Sequence, residues 1–222
     1  TQARPVYNEC MSLREIKFVP GEYFHVYNRG NDKRKIFHDN KDYHHFLKLL
    51  FLVNSEKKFK VRDLKEVYSV ERGEQLVHIG AYCAMPNHFH LLITPLKENG
   101  LSKFMQKLTT GLSMHYNVKY KRSGSLFEGK FKAEHVDNDV YLKYLFSYIH
   151  LNPIKLIQSD WKITGIKDLN SAKTHLKRYY FSSYLDYLEE SRSETLIISR
   201  DGFPNYFPDK KSFEREIFDW IS

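Results

Sequence analysis

The sequence has few cysteines, no long apolar run and no repeat, and each absence removes a class of protein. Cys10 and Cys83 are its only cysteines, so neither a disulfide framework nor a cysteine metal site is expected. No apolar run approaches the length that crosses a membrane, and no stretch near residue 1 resembles a secretion signal. We therefore expect a protein of the reducing cytoplasm that has no membrane partner.

The charge balance favours bases. Lys and Arg number 35 against 27 acidic residues, which gives a formal net charge of +8 and a pI near 9.2. This balance suits a polyanionic partner such as nucleic acid, although many basic proteins bind nothing acidic. The 222 residues are enough for one sizeable core or a core with a small appendage.

Two predicted strands flank a Pro-Asn interruption in the middle of the chain. The run 76–83 is apolar and suits a buried strand, and a second strand is predicted over 88–94. Because side chains alternate between the two faces of a strand, His88 and His90 share one face. Two neighbouring imidazoles can form half of a metal site, but a histidine pair on a strand is often structural. The spacing alone leaves both interpretations open.

A tyrosine-bearing helix is predicted to begin near Asp139 and to end at Pro153. Tyr144, Tyr148 and Asn152 recur every four residues and therefore share one face. If that face meets the histidine pair, the site gains a phenol nucleophile and an amide oxygen. Tyr148 is preferred as the nucleophile because Asn152 follows it by one helical turn. A single tyrosine among 16 is more often a packing residue, so the prediction depends on the combination.

A divalent ion could link these groups. A phenol is a poor nucleophile near neutral pH, and an ion held by His88, His90 and Asn152 would neutralise a phosphate and orient the attack. Two imidazole nitrogens and one amide oxygen leave room for phosphate oxygens and water. Such mixed ligation favours Mg²⁺ or Mn²⁺ over a closed structural zinc site, with zinc as the alternative.

Both motifs together resemble a known family. Residues 85–92, Met-Pro-Asn-His-Phe-His-Leu-Leu, resemble the HUH motif of the single-tyrosine transposases of insertion sequences. Residues 148–154, Tyr-Ile-His-Leu-Asn-Pro-Ile, resemble the tyrosine helix of the branch called REP-associated tyrosine transposases. Residues 23–30 and 124–131 match further pieces, so the resemblance extends over about residues 20 to 190.

The resemblance implies a fold and an activity. The fold is α+β, with helices packed on a ferredoxin-like antiparallel sheet, which is the HUH endonuclease fold. The activity is that of a DNA transposase that cleaves and rejoins single-stranded DNA bearing a hairpin of the repetitive extragenic palindrome type. Attack by Tyr148 would leave a 5′-phosphotyrosine and a free 3′-OH. The covalent bond would conserve the energy of the phosphodiester, so rejoining would require no nucleotide cofactor.

The chain is expected to have three parts. They are an arm over 1–20, the transposase domain over 21–157, and a C-terminal extension over 158–222 that packs on or beside the core. Further elements are predicted as strands over 22–28 and 126–136, helices over 42–53 and 100–119, and a helix end with an exposed hairpin over 54–75. A monomer and a homodimer are both compatible with the sequence.

Six basic residues in predicted turns or strands are candidates for contacts with the DNA backbone. They are Arg29, Lys33, Lys35, Arg122, Lys130 and Lys132. A solvated basic turn would explain most of them equally well.

Two other classes of function stay open. The chain could be a domesticated DNA-binding regulator with little nuclease activity, which metal-dependent cleavage of single-stranded DNA would exclude. It could also be a metal-dependent RNA-processing enzyme in which Tyr148 is structural, which a test of deoxy against ribo substrates would decide. The complete set of two histidines, tyrosine and asparagine favours the transposase.

Overall fold

A four-stranded antiparallel sheet forms the centre of the computed structural model, which describes residues 17–219. Its strands are β1 (Tyr23–Arg29), β2 (Val77–Met85), β3 (His88–Pro95) and β4 (Lys132–Val136). They pair in the order β2-β3-β1-β4, which is the ferredoxin-like order, so the predicted α+β fold is confirmed. Most of the predicted arm over 1–20 lies outside the described residues.

Helices cover both faces of this sheet. They are α1 (Asn40–Val53), α2 (Gly100–Lys119), α3 (Asp139–Leu151), α4 (Trp161–Thr164), α5 (Leu169–Arg178), α6 (Tyr184–Tyr187) and α7 (Lys210–Asp219). The face that carries Phe24 and Phe89 packs on α1 and α2. The face that carries Cys83 and Leu92 packs on α3 and the chain after it. His88 and His90 alternate with Phe89 on β3 and therefore point to the α3 side.

Local sequence signals fix the ends of two helices. Asp39 and Asp42 form a capping box at the start of α1. At the start of α3, the side-chain oxygen of Asn138 accepts a hydrogen bond of 2.7 Å from the backbone N–H of Tyr141. The α-helix ends at Leu151, and Asn152–Leu156 continues as a 3₁₀ turn.

Two predictions of secondary structure were wrong. The strand predicted over 126–136 begins only at Lys132, because residues before it meet the chain after β1 through an isolated bridge between Gly30 and Phe127. Lys130 therefore lies outside the strand. The hairpin predicted within 54–75 is replaced by two 3₁₀ turns. At the ends of this segment, the side-chain oxygen of Asn54 accepts hydrogen bonds from the backbone N–H groups of Leu76 and Val77. These N–H groups are therefore bound by a side chain and not by a paired strand.

Residues 158–219 pack on α3 and on the edge of β2. Trp161, Tyr184 and Phe213 are buried in the same apolar cluster as α3. The backbone N–H of Ala84 donates to the carbonyl of Phe181, and Cys83 forms an isolated bridge with Ser182. The domain boundary at 157 stays a prediction. Between residues 17 and 219, no helix combines the length and the apolar character that crossing a bilayer would require.

Candidate active site

The histidine pair lies half-covered on the α3 side of β3. The ring centroids of His88 and His90 are 4.9 Å apart, and His90 is buried. Burial, followed by the charges of Lys155 and Lys162, lowers the pKa of His88 to about 4. Burial and the neighbouring histidines hold the pKa of His90 well below its ordinary value. Both imidazoles are therefore neutral at pH 7 and can offer a lone pair to a metal ion.

A chain of side chains behind His90 orients its ring. His25 on β1 places its Nε2 atom 2.9 Å from Nδ1 of His90. The Nδ1 atom of His25 lies 3.6 Å from a carboxylate oxygen of Glu134, which is within ion-pair range. The pKa of Glu134 is lowered to about 2, chiefly by His25, so this carboxylate is charged at neutral pH. With its proton on Nδ1, on the side of Glu134, His25 can accept at Nε2 a hydrogen bond from the Nδ1–H of His90.

This arrangement fits a metal site. In the tautomer in which Nδ1–H of His90 points to His25, Nε2 of His90 is the nitrogen with the lone pair. His88 has the same pattern, because its Nδ1 lies 2.6 Å from the side-chain oxygen of Asn87, which can only accept. Within residues 17–219, no three His, Cys, Asp or Glu side chains are arranged to hold an ion. Amide, water and phosphate oxygens are further ligands that Mg²⁺ and Mn²⁺ accept beside imidazole nitrogen.

Tyr148 lies against the histidines. Its ring centroid is 5.5 Å from that of His90 and 5.7 Å from that of His25, and both contacts are edge-on. Burial, followed by Tyr144, raises the pKa of Tyr148 to about 12. Tyr144 is 37% exposed and lies one turn earlier, and the hydroxyl of Tyr141 donates to Glu134. The ring of Tyr148 therefore contacts both histidines.

Asn152 is brought to the tyrosine, but its role as a ligand stays a prediction. The residue is buried, and its side-chain nitrogen donates a hydrogen bond of 2.9 Å to the backbone carbonyl of Tyr148. This bond holds the side-chain nitrogen of Asn152 at the end of α3. The side-chain oxygen of Asn152 takes no part in it.

Four functional candidates were missed by the sequence analysis. His25 and Glu134 lie opposite each other on β1 and β4. Because side chains alternate between the faces of a strand, their positions in the two strands could have placed both on the face that carries His88 and His90. Lys155 lies in the 3₁₀ turn after α3 and Lys162 in α4, and both elements are too short for periodicity to indicate direction. Nζ of Lys162 lies 3.9 Å from the centroid of the Tyr148 ring.

The six predicted DNA contacts differ in their distance from this site. Arg29 is paired opposite His88 on β1 and also binds Glu128 through its guanidinium. Arg122 follows α2, and Lys130 lines a groove beside α2. The remaining exposed candidates are Lys33, Lys35 and Lys132. The fold therefore brings Arg29 to the histidines, and all six roles stay predictions.

Comparison with known proteins relates this geometry to a family. The family model described as "Transposase IS200 like" matches residues 19–152, which include both histidines, Tyr148 and Asn152. No curated protein matches the chain. Among solved structures, the chain is similar to a REP-associated tyrosine transposase bound to a REP hairpin, with a TM-score of 0.52 and 15% sequence identity over 87% of this chain and 89% of that chain. At this identity the likeness shows the fold, in agreement with the resemblance found in the sequence.

Proposed function

The chain belongs to the IS200-like transposase family, and on that premise we propose that it cleaves and rejoins single-stranded DNA through Tyr148. The observation that carries the proposal is the edge-on contact of the Tyr148 ring with His90, a neutral histidine that can bind a metal ion. The phenol oxygen would form a bond to phosphorus while the bond from phosphorus to the 3′ oxygen breaks. The phenol proton would pass to solvent, and the departing 3′ oxygen would take a proton from solvent.

The residues around Tyr148 have separate tasks in this proposal. His88, His90 and Asn152 would hold a divalent ion, Mg²⁺ or Mn²⁺, which when bound supplies charge neutralisation at the phosphate. Glu134 and His25 hold His90 in the tautomer that presents Nε2. Tyr148 is protonated at neutral pH, since burial raises its pKa to about 12, so its proton has to leave as the phenol attacks.

The proposed substrate is hairpin-bearing DNA. The similar solved transposase is bound to a REP hairpin, and the net charge of +8 favours a polyanion. Arg29 beside His88 is a proposed phosphate contact.

The test is formation of a covalent adduct. Wild-type protein, Mn²⁺ and a 3′-labelled hairpin oligonucleotide with single-stranded flanks should give a labelled protein band on a denaturing gel. Tyr148→Phe should bind the oligonucleotide normally and form no adduct, because it removes the attacking oxygen and little else. Tyr144→Phe, one turn earlier on the same helix, is the matched control and should retain the adduct.

The outcomes separate the alternatives. An adduct formed by Tyr148→Phe would refute the assignment of the nucleophile. Wild-type protein that binds the hairpin without forming an adduct would support the regulator. Cleavage of the ribo version alone would support an RNA-processing enzyme.

A further inference from the structure

Lys162 lies at the nucleophile although it belongs to the C-terminal extension. It is the second residue of α4, directly after Trp161, whose side chain is buried in the cluster beneath α3. The buried indole fixes the position of this short helix, and the ammonium of Lys162 lies 3.9 Å from the centroid of the Tyr148 ring. A cation at this distance from an aromatic ring is in attractive contact with it.

Lys162 is charged at neutral pH. Desolvation and the charge of Lys155 lower its pKa to about 8, so most of its ammonium stays protonated at pH 7. The nucleophile therefore has a cation beside its ring.

We propose that Lys162 is a catalytic residue, whose ammonium contacts Tyr148 and binds a non-bridging oxygen of the scissile phosphodiester during the attack. The inference rests on the function proposed above. As the phenol oxygen bonds to phosphorus and the 3′ oxygen leaves, negative charge grows on the phosphoryl oxygens and on the departing oxygen. A fixed cation stabilises such charge more strongly in the transition state than in the ground state, and this difference accelerates the step.

The same contact should favour loss of the phenol proton. Attack requires Tyr148 to give its proton to solvent, and a cation over the ring stabilises the phenolate that forms. Lys162 lies beyond residue 152, where the family match ends, so the proposed group comes from outside the matched region.

The experiment compares substitutions that separate charge from packing. Lys162→Met keeps an unbranched side chain without charge, and Lys162→Arg keeps the charge. Lys167→Met is the matched control, because Lys167 lies in the same segment and pairs with Asp160 at the surface. Single-turnover adduct formation with saturating hairpin DNA and Mn²⁺ is measured beside hairpin affinity and thermal unfolding. A second readout needs no activity: the pKa of the Tyr148 phenol, followed by NMR of protein carrying ¹³C-labelled tyrosine, with Tyr148→Phe assigning the resonance.

We expect Lys162→Met to form the adduct about 10- to 100-fold more slowly, with its melting temperature unchanged and with a higher phenol pKa. Lys162→Arg should recover most of the rate, and Lys167→Met should match the wild type. A wild-type rate in Lys162→Met, or equal losses in the Met and Arg variants, would overturn the role of Lys162 and leave Tyr148 chemistry intact. A wild-type protein that forms no adduct would instead refute the proposed function, and this inference with it.

Discussion

Replacing His25 by Phe should weaken metal binding without removing a proposed ligand. His25 is buried, and its Nε2 atom lies 2.9 Å from Nδ1 of His90. Phe keeps a ring of similar size on β1 but has no nitrogen, so the Nδ1–H of His90 loses its partner. The ring of His90 is then free to rotate or to change tautomer, and either change takes the lone pair of Nε2 away from the site.

The size of the effect follows from the burial of His90. An unpaired buried donor costs roughly 1–3 kcal/mol, which should appear as a lower free energy of unfolding. Loss of a partner that orients a metal-binding histidine typically reduces metal affinity by about 10- to 100-fold, which corresponds to about 1.4–2.8 kcal/mol. Calorimetric titration with Mn²⁺ measures the affinity, and urea unfolding measures the stability.

The matched control for this experiment is Tyr27→Phe. It removes the hydroxyl that donates to Glu134 at 2.9 Å and leaves the contact between His25 and His90 in place. Its Mn²⁺ affinity should stay close to that of the wild type. A folded His25→Phe variant with wild-type affinity would show that His90 needs no orienting partner. No binding of Mn²⁺ to the wild type would refute the metal site itself.

Further predictions concern the ligands, the DNA and the fold. His90→Ala should form no adduct at Mn²⁺ concentrations that support the wild type, and a wild-type rate at those concentrations would contradict its role as a ligand. Affinity for hairpin DNA should fall steeply between about 50 and 200 mM salt, and an affinity that does not change would exclude the basic surface as the binding surface. Burial opposes the charge of Asp42, but hydrogen bonds from Lys119 and Tyr120 outweigh it and lower the pKa of Asp42. The ionised Asp42 therefore stabilises the fold above about pH 4, and this stabilisation is lost as the pH falls further. The free energy of unfolding in urea should fall less on acidification in Asp42→Asn than in the wild type, and an equal fall would assign the effect to other carboxylates.

The parts of the site that were predictable are those that local periodicity determines. Alternation along β3 places His88 and His90 on one face, and the four-residue spacing along α3 places Tyr148 and Asn152 together. Helix and strand periods are properties of adjacent residues, so they can be read from one sequence. The strand predicted over 126–136 was wrong before Lys132 because the prediction used local periodicity alone. The residues there alternate as in a strand, but Phe127 meets Gly30 only through an isolated bridge.

The parts that were missed depend on pairing between distant segments. His25 meets His90 because β1 lies between β3 and β4, and Glu134 is opposite His25 across that same pairing. A strand register joins residues more than 60 positions apart, and no local pattern encodes it. Lys162 is harder still to predict, since its direction depends on where the neighbouring Trp161 is buried.

The extension is coupled to the nucleophile through a shared core. The inner face of α3 carries Phe146 and His150, whose rings contact Tyr187 in the extension, and His150 also bonds to Ser183. Tyr148 lies between these two residues on the same helix, so the orientation of its phenol depends on how α3 is held. Because interiors are close-packed, a shift of the extension would move α3 and the Tyr148 ring relative to His90. The extension therefore stabilises the geometry on which the proposed attack depends.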